Sequence, residues 1–317
     1  MSSSSVVVTG GTGSLGTALA NYYLLNPVDR YAILSRDSHK QQKLRKDLGD
    51  PDNFRWLLGD VRDSERLEEV FQNVDLVIHA AAIKDITAVE YSPVEGDKTN
   101  NRGTQNVIRV AKKCGVSKVM VISTDKAAAP INAYGVSKAM AEKIAVEANV
   151  GHQHTKTKVS CARYGNVIGS SGSVVPIWKK QSEDGTLLIT DKKMSRFWIE
   201  MSDAVAFILG CIERMNGGEI FIPKLKSARL LDVAEAIAPG CHLAEIGVRP
   251  GEKIHETLIT ESEATHTKEF DDHFIIEPEF SFWTTDDIGG KPLPEGFSYS
   301  SDNNQEWLTV DMIRNMI

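Results

Sequence analysis

The first half of the chain alternates short apolar runs with amphipathic stretches of helical length. The apolar runs are rich in β-branched residues and end at turn-forming residues, which predicts strands at 6–9, 31–35, 54–58, 75–79, 118–123 and 158–163. The stretches between them predict helices at 14–25, 63–71, 94–114 and 133–148. Continuously apolar strands separated by helices are typical of a parallel sheet that is covered on both faces. The expected fold class is therefore α/β, with a doubly wound parallel sheet.

After about residue 170 the alternation weakens, and glycine and proline become more frequent. The sequence predicts a nucleotide-binding domain with this arrangement over residues 1–170 and a smaller C-terminal substrate domain over 171–317. A predicted helix at 203–215 and a predicted strand at 219–222 are expected to bring residues 200–224 back to the main sheet. Residues 261–298 show weak periodicity and predict a long irregular arm without an assigned place.

The composition narrows the class of protein. The 317 residues are 41% hydrophobic and 25% charged, which is ordinary for an enzyme with a sizeable core. The net charge of −7 argues against a nucleic acid as partner, although it leaves room for a local basic pocket. The cysteines Cys114, Cys161, Cys211 and Cys241 form no CxxC motif, so we expect reduced thiols, no metal site and a cytoplasmic protein. No apolar run is long enough to predict a signal peptide or a membrane span.

A glycine-rich turn follows the first predicted strand and opens the first predicted helix. Residues 10–16 read GGTGSLG, which is a GxxGxxG spacing rather than GxGxxG. Glycines let the backbone approach a pyrophosphate closely, and the helix N-terminus presents free N–H groups to the anion. Such a turn can also be merely structural, but its place between a strand and a helix predicts a dinucleotide cradle. The predicted contacts are Gly10, Thr12, Gly13, Ser14, Leu15 and Gly16.

The end of the second predicted strand bears on which dinucleotide binds. A carboxylate at this strand tip would bind the ribose 2′-hydroxyl of NAD. Here Ser35 and Arg36 come first, and Arg36 could pair with a 2′-phosphate. His39 and Lys40 add positive potential. We therefore favour NADP as the ligand of a Rossmann domain over residues 1–170, and a solvated polar loop is the alternative.

Two further strand ends are candidates for cofactor contacts. Asp60 and Val61 follow the third strand and would suit an adenine, with the carboxylate on its amino group and the valine against its ring. Asp60 could equally lie at the start of a helix. Ala80 and Ala82 follow the fourth strand and are small enough for the backbone to lie against the cofactor, or only for tight packing.

The predicted helix at 133–148 carries a phenol and an ammonium on one face, because Tyr134 and Lys138 are four residues apart. The ammonium is expected to lower the pKa of the phenol, so that Tyr134 can take a hydroxyl proton while a hydride leaves the same carbon. Asp125 and Lys126 add a second acid–base pair, which a simple alcohol dehydrogenase does not need. A surface turn with a weak ion pair is the alternative for this second pair.

These residues together resemble the extended short-chain dehydrogenase/reductase superfamily, through TGGTGSLG at 9–16, HAAA at 79–82, YGVSK at 134–138 and RYGN at 163–166. Further blocks resemble one group within it, the C5-inverting UDP-N-acetylglucosamine 4,6-dehydratases of pseudaminic-acid and related polysaccharide pathways. These blocks are STDKA at 123–127, RYGNVIGSSGSVVP at 163–176, MSRFW at 194–198, GGEIF at 217–221, RPGEKIHE at 249–256 and YSSD at 299–302. The resemblance covers nearly the whole chain. It departs at Ser171, where the group would have an arginine that contacts a phosphate or the cofactor.

The resemblance implies dehydration of UDP-N-acetylglucosamine with tightly bound NADP that is regenerated in each cycle. Tyr134, assisted by Lys138, would remove the 4-hydroxyl proton as the C4 hydride passes to NADP, with Thr124 hydrogen-bonded near that oxygen. Lys126 would take the C5 proton, and Asp125 would protonate the departing C6 hydroxyl. The hydride would return to C6 and a proton to the opposite face of C5. For this role the pKa of Lys126 must fall, through burial or through neighbouring cations such as Lys138.

The resemblance also implies residues that bind the UDP-sugar, which are Lys84, Asn166, Val174, Arg196, Arg249 and Glu252. Two phosphates favour arginine forks, although each arginine could instead form a structural salt bridge. Asn100, a poor helix former inside a predicted helix, is expected to bridge backbone groups near the catalytic residues. His79 and His255 are expected to be structural.

Three alternatives stay open at this point. A UDP-sugar 4-epimerase shares the cradle and the tyrosine–lysine pair but has no need of Asp125 and Lys126. A retaining dehydratase generally carries an acid–glutamate pair at those positions, often together with membrane helices. A regulator that only senses the cofactor commonly lacks the tyrosine or the lysine, and both are present here. The resemblance further suggests a homo-oligomer.

Overall fold

Each apolar strand of the first half is followed by a helix that returns the chain to the same edge, which gives a parallel sheet. The computed structural model describes residues 4–150, 156–170, 173–279 and 288–317. The parallel strands described are β1 (Ser5–Thr9), β2 (Arg30–Ser35), β3 (Phe54–Leu58), β4 (Leu76–His79), β5 (Lys118–Thr124), β6 (Lys158–Tyr164) and β10 (Ile220–Pro223). They lie in the order β3-β2-β1-β4-β5-β6-β10. The order reverses at β1 and β4, where open α/β sheets bind ligands at the carboxyl ends of the strands. The predicted doubly wound fold is confirmed.

The sheet continues beyond β10 with antiparallel strands. They are β15 (His273–Ile276), β14 (Thr267–Glu269) and β16 (Lys291–Pro292), in that order outward from β10. The prediction of an irregular arm over 261–298 is therefore wrong for the residues described there. These strands extend the main sheet, and helix α11 (Glu261–Ala264) precedes them. Strands this short offer too few positions for a period of two to show.

The helices cover the sheet or lie in the C-terminal part. They are α1 (Ser14–Leu25), α2 (Ser38–Asp47), α3 (Ser64–Val70), α4 (Ile86–Tyr91), α5 (Pro93–Asp97), α6 (Gly103–Cys114), α7 (Ala133–Glu147), α8 (Val174–Gln181), α9 (Met201–Arg214), α10 (Leu230–Ile237) and α12 (Val310–Met316). A π-helical segment at Lys98–Arg102 divides the predicted helix at 94–114 into α5 and α6. Short 3₁₀ turns lie at Asp125–Ala127 and Ser182–Asp184. None of the described helices is long and apolar enough to span a bilayer.

A second set of strands lies in the C-terminal part. They are β7 (Asn166–Val167), β9 (Ser195–Ile199) and β11 (Lys226–Arg229) in one sheet, β8 (Thr186–Ile189) paired with β12 (His242–Glu245), and β13 (Thr257–Ile259) paired with β17 (Tyr299–Ser300). A separate apolar cluster, which includes Trp178, Leu187 and Val233, is buried among β8, β9, β11, α8, α10 and α12. The boundary expected near residue 170 stays a prediction, because β10 and β15 carry later parts of the chain back into the first sheet.

Candidate active site

A cleft of about 1430 Å³ opens at the carboxyl ends of the parallel strands. Every residue predicted to contact the cofactor lines it, namely Gly10, Thr12, Gly13, Ser14, Leu15, Gly16, Ser35, Arg36, Lys40, Asp60, Val61, Ala80, Ala82, Tyr134 and Lys138. The parallel register explains this, because residues that follow β1 to β5 all emerge at the same edge. Residues far apart in the sequence therefore share one surface.

The glycine turn after β1 packs directly on the strand end after β4. Gly10 has φ +69°, and a Cβ atom there would lie 2.8 Å from the backbone N of Ala81. A Cβ atom on Gly16 would lie 2.5 Å from Cα of Gly11, so the first turn of α1 needs glycine as well. Among the described residues no side chain caps α1 at its N-cap, Gly13, and the N-terminus of this helix favours an anion. The cradle fits the pyrophosphate of a dinucleotide.

The far end of the cleft carries several cations. Arg36 Nη1 lies 3.4 Å from Asp60 Oδ2, and Arg62 Nη2 lies 2.8 Å from the same oxygen. Partial burial opposes the ionisation of Asp60, but the hydrogen bonds from Arg62 and the charge of Arg36 outweigh it and lower the pKa of this carboxyl. Asp37 caps α2 by accepting the N–H of Lys40, so the carboxylate beside Arg36 already has a structural partner.

The predicted catalytic residues converge where β5 ends and α7 begins. Lys126 Nζ lies 3.0 Å from Asp125 Oδ1, and the side chains of the two residues are only 20% and 1% exposed. Thr124 Oγ1 donates to the same Asp125 oxygen at 3.1 Å and also hydrogen-bonds with the hydroxyl of Tyr134. Because the pair is buried, the alternative of a weak ion pair on a surface turn is wrong.

The phenol of Tyr134 does not have the lowered pKa that we expected from Lys138. Burial raises the pKa of Tyr134 to about 12; Lys126 and the Thr124 hydrogen bond oppose this rise, and Asp125 adds to it. The Lys138 ammonium instead donates to the carbonyl of Ile122 at 2.7 Å. A shared helix face is therefore not enough for Lys138 to lower the pKa of Tyr134 in the protein without ligands.

The amine of Lys126 also departs from the expectation. Burial lowers its pKa, but the negative charges of Asp125 and Glu256 more than compensate, so the pKa is raised above the usual value for lysine. The cation that opposes this rise is Arg196 rather than Lys138. Lys126 is therefore an ammonium in the protein alone. A base role requires its proton to move to a neighbouring carboxylate, and Asp125 is 3.0 Å away.

Four of the residues predicted to bind the substrate, Lys84, Asn166, Arg249 and Glu252, line the cleft. Asn166 and Glu252 also line a smaller cavity of about 100 Å³ next to Lys126. Among the described residues, the buried Oδ1 of Asn166 has no hydrogen-bond partner, which leaves an acceptor available for a ligand.

The other two predicted substrate residues have structural contacts. Arg196 lines the smaller cavity, but its guanidinium donates to the carbonyls of Ser195, Lys253 and Ile254. Val174 begins α8, packs on the second apolar cluster and lines neither cavity. Ser171, where the sequence departs from the group, lies outside the described residues.

Asn100 bridges backbone as expected. In the π-helical segment its side chain accepts the N–H of Ile83 at 2.9 Å and donates to the Ile83 carbonyl at 3.1 Å and to Ser137 Oγ at 2.9 Å. It thereby ties the loop after β4 to α7. Asn132 makes a comparable link at the start of α7: it accepts the N–H of Gly135 and donates to the carbonyl of Gly251. Helix α7 is thus held from both sides.

The two histidines lie in hydrogen-bonded positions. His79 lies between Thr9 Oγ1 at 2.7 Å and Thr104 Oγ1 at 3.0 Å, and burial followed by the charge of Lys138 lowers its pKa to about 3. His255 Nδ1 lies 2.8 Å from Ser195 Oγ. Neither histidine lines the cleft or the smaller cavity.

Sequence reasoning missed Glu256. Its Oε1 lies 3.3 Å from Lys126 Nζ, and its side chain is 3% exposed. The sequence placed it only within the RPGEKIHE block. A charged residue directly before the apolar strand β13 is a weak signal that could have marked it as a buried carboxylate.

Comparison with known proteins agrees with this architecture. The family described as polysaccharide biosynthesis protein matches residues 6–278. A protein of Campylobacter jejuni named UDP-N-acetylglucosamine 4,6-dehydratase (inverting) is 44% identical over 313 residues, which is 95% of this chain and 93% of the relative. A protein of Rickettsia rickettsii named UDP-glucose 4-epimerase is 36% identical over 280 residues, 86% of this chain and 82% of the relative.

Among solved structures, Pen from Bacillus thuringiensis superimposes with a TM-score of 0.92. It is 33% identical in sequence, and the match covers 99% of this chain and 97% of that protein. The similarity thus spans the main sheet and the C-terminal part alike. The chain belongs to the polysaccharide biosynthesis protein family, within the extended short-chain dehydrogenase/reductases.

Proposed function

We propose that the protein is a C5-inverting UDP-N-acetylglucosamine 4,6-dehydratase. The observation that carries the proposal is the buried Asp125–Lys126 pair, with Nζ 3.0 Å from the carboxylate, in the same cleft as Tyr134. Oxidation at C4 alone needs a base for one hydroxyl. Loss of water across C5–C6 needs, in addition, a base for carbon-bound hydrogen and an acid for the departing hydroxyl, and this pair supplies both. The name of the Campylobacter relative supports the same reaction.

The cleft fits a nicotinamide dinucleotide, because its glycine turn leaves the N-terminus of α1 uncapped for the pyrophosphate. When bound, such a cofactor would accept the hydride from C4 and return it to C6 of the sugar. Residues Gly10 to Gly16 would hold its phosphates, Asp60 and Val61 its adenine, and Lys138 its ribose near Tyr134. Hydride return within one cycle favours a cofactor that stays bound.

Tyr134 would take the proton of the 4-hydroxyl. Thr124, which hydrogen-bonds with the phenol, lies close enough to help hold the 4-oxygen of the sugar in place. Since burial raises the pKa of Tyr134 to about 12, the phenol is protonated at neutral pH in the protein alone. Ionised Tyr134 is therefore a minor form whose share rises with pH. The charge of Lys126 stabilises it.

Lys126 and Asp125 would reach their working forms in a single exchange. Transfer of one proton from the ammonium to the carboxylate gives a neutral amine and a carboxylic acid, which are the base and the acid that the elimination requires. When the amine takes the C5 proton and the acid gives its proton to the departing hydroxyl, water leaves. The pair is then an ammonium and a carboxylate again. C5 still has to gain a proton on its opposite face as the hydride reaches C6, and this proton would come from solvent.

Incubation with UDP-N-acetylglucosamine in heavy water tests the function. The expected product is a UDP-2-acetamido-2,6-dideoxy-4-keto hexose that carries deuterium at C5 and has the opposite C5 configuration. Mass spectrometry and proton NMR of the product read both features. A product that keeps its 6-hydroxyl, or that keeps hydrogen at C5, would contradict the proposal.

A UDP-sugar 4-epimerase is the second candidate, favoured by the name of the Rickettsia relative at 36% identity. It would use Tyr134 and the cradle in the same way but would return the hydride to C4. The NMR spectrum separates the two, because an epimerase product retains its 6-hydroxyl group and is inverted at C4.

We propose NADP rather than NAD as the cofactor. The support is the cationic end of the cleft, where Arg36, His39 and Lys40 lie and where Asp37 is engaged as a helix cap. A 2′-phosphate would compete with Asp60 for the exposed guanidinium of Arg36.

Substitution of Arg36 by alanine is expected to weaken NADP binding about 10-fold or more and to leave NAD binding within about 2-fold, because a charge-assisted bond to the phosphate contributes about 1.5–3 kcal/mol. Isothermal titration with each dinucleotide measures both constants. Arg45→Ala, which removes an exposed arginine of α2 that does not line the cleft, is the matched control. Equal losses for both dinucleotides, or tighter binding of NAD than of NADP to the parent protein, would contradict NADP specificity.

We also propose a homo-oligomer. Large apolar side chains are exposed on neighbouring helices: Tyr91 at the end of α4, Val94 in α5, and Val136 and Met140 in α7. The three helices pack on one another, and Val136 and Met140, four residues apart, share one face of α7. Exposed apolar surface on neighbouring elements is typical of an interaction site.

The double substitution Val136→Glu and Met140→Glu is expected to convert the oligomer to a monomer, because it places two charges on each copy of a surface that becomes buried. Light scattering after size-exclusion chromatography reads the mass. Leu25→Glu, at an exposed apolar residue of α1, is the control and should leave the mass unchanged. A monomeric parent protein would rule out the proposal.

Three further predictions remain proposals. Lys84, Asn166, Arg249 and Glu252 would bind the UDP part of the substrate and give the C-terminal part its role in substrate binding, which a calorimetric titration with UDP tests. We also propose, on the resemblance alone, that the product of the protein enters a pathway of the pseudaminic-acid type. Identification of the sugar that accumulates after deletion of the gene tests this.

We propose that the protein is cytoplasmic, and cell fractionation tests its location.

A further inference from the structure

We propose that Glu256 is a positioning residue for the dehydration step: it holds the Nζ of Lys126 from the C-terminal part of the chain, while Asp125 holds it from the end of β5. This inference rests on the proposed function. It assigns a role to a carboxylate that the reaction scheme above leaves without one.

The geometry places one ammonium between two buried carboxylates. Lys126 Nζ lies 3.0 Å from Asp125 Oδ1 and 3.3 Å from Glu256 Oε1. The two acidic side chains are 1% and 3% exposed. A lysine side chain has four rotatable bonds and loses considerable rotamer freedom when it is fixed. Two anionic contacts from different elements fix the position of Nζ more tightly than Asp125 alone.

The backbone of Glu256 is itself held in place. Its N–H donates to Ser301 Oγ at 3.0 Å, and its carbonyl accepts the N–H of Ser301 at 2.8 Å. Ser301 Oγ lies 2.7 Å from Ser195 Oγ, at the start of β9. Both backbone polar groups of Glu256 are therefore satisfied by a neighbouring segment, and the side chain extends from a fixed point.

The side chain of Glu256 is less completely satisfied than a purely structural ion pair would be. Its Oε1 lies 3.9 Å from Arg196 Nε, and its Oε2 lies 3.9 Å from Lys253 Nζ. Oε2 is buried and has no hydrogen-bond partner among the described residues. Buried carboxylates that serve only stability usually have their oxygens hydrogen-bonded. Glu256 also borders the cavity of about 100 Å³ next to Lys126, so it belongs to the wall of the site.

The charge of Glu256 affects how readily Lys126 gives up its proton. The charged or titratable groups that act on this amine are Asp125, Glu256, Arg196, Lys253 and Tyr134. The two carboxylates favour the ammonium, and Arg196 opposes it. Removal of the negative charge at position 256 therefore lowers the pKa of Lys126. The transfer of the Lys126 proton to Asp125 would then be easier.

The test compares Glu256→Gln, which keeps the shape and removes the charge, with the parent enzyme and with Glu245→Gln, a control at an exposed carboxylate of β12. Each is assayed for kcat and KM with UDP-N-acetylglucosamine across the pH range. Misplacement of the amine costs about 10²-fold and easier release of its proton returns about 10-fold, so the Glu256→Gln variant is expected to lower kcat about 10-fold and to leave KM nearly unchanged. The control should match the parent in both constants. A Glu256→Gln variant with the kcat of the parent would overturn the proposal.

A second variant covers the case in which Glu256→Gln fails to fold, which its thermal unfolding curve reveals. Glu256→Asp keeps the charge but withdraws it by one methylene. It is expected to lower kcat by about 10²-fold through misplacement of the amine and to leave KM nearly unchanged. A parent-like kcat would overturn the proposal. If the parent enzyme itself forms no 4-keto-6-deoxy product, the proposed function fails instead, so the two failures are distinct.

Discussion

Replacement of Lys126 by alanine is expected to abolish dehydration and still allow slow reduction of the bound cofactor when the substrate is added. The amine is the group that would take the C5 proton, whereas oxidation at C4 depends on Tyr134. Loss of a positioned base costs about 10²–10⁴-fold in rate. Formation of the 4-keto-6-deoxy sugar measures the first effect. The near-ultraviolet absorbance of the reduced nicotinamide in a single turnover measures the second.

Lys143→Ala is the matched control, because Lys143 is an exposed lysine in the middle of α7. It should retain the full dehydration rate. The Lys126→Ala variant leaves Asp125 and Glu256 without the ammonium between them, and one of these carboxyls is then expected to hold a proton. Its thermal unfolding is recorded so that loss of activity is separated from loss of fold. Dehydration at the parent rate would show that the base is another residue.

Replacement of Tyr134 by phenylalanine is expected to stop the reaction before any hydride leaves C4. The ring is buried, with 7% of the residue exposed, so phenylalanine fills the same space and loses only the hydroxyl and its bond with Thr124. The expected rate loss is again about 10²–10⁴-fold, whereas the free energy of unfolding should change by only about 1 kcal/mol. Rapid-mixing spectroscopy should show no reduced nicotinamide after substrate is added.

The same experiment on the parent enzyme reads the ionisation of the phenol. Since burial raises the pKa of Tyr134, the ionised form is scarce at neutral pH, and the first hydride step should become faster as the pH rises. Tyr164→Phe, at another buried tyrosine that lines the cleft, is the control for removal of a hydroxyl from this region. A Tyr134→Phe variant that still reduces the cofactor at the parent rate would refute the role of the phenol.

The sequence predicted the first sheet well because the signals there are local. The strand and helix that enclose the glycine turn were predicted almost to the residue, since apolar β-branched runs and glycine punctuate the chain within short windows. The parallel arrangement then placed the strand-end residues, from Gly10 to Lys138, along one cleft. Asn100 was recognisable because asparagine is unusual within a helix, and it bridges Ile83 and Ser137 as expected.

The electrostatics of the site could not be predicted in this way. The pKa of Lys126 depends on Glu256 and Arg196, which come from β13 and β9 regions that no local pattern connects to β5. The short strands β14 and β15 were missed for a related reason, because β15 is stabilised by pairing with β10, and β14 by pairing with β15, rather than by their own pattern. Long-range contacts decided both cases.

The origin of the groups around Lys126 has a consequence for redesign. The amine and Asp125 belong to the N-terminal sheet, but Glu256, Arg196 and Lys253 reach them from the other part of the chain. A chimera that joins this N-terminal part to the C-terminal part of a relative, with the aim of accepting a different sugar, would exchange those neighbours as well. Such a chimera would therefore change the protonation of Lys126 together with the choice of sugar. Its design should keep the residues of this chain at positions 196, 253 and 256.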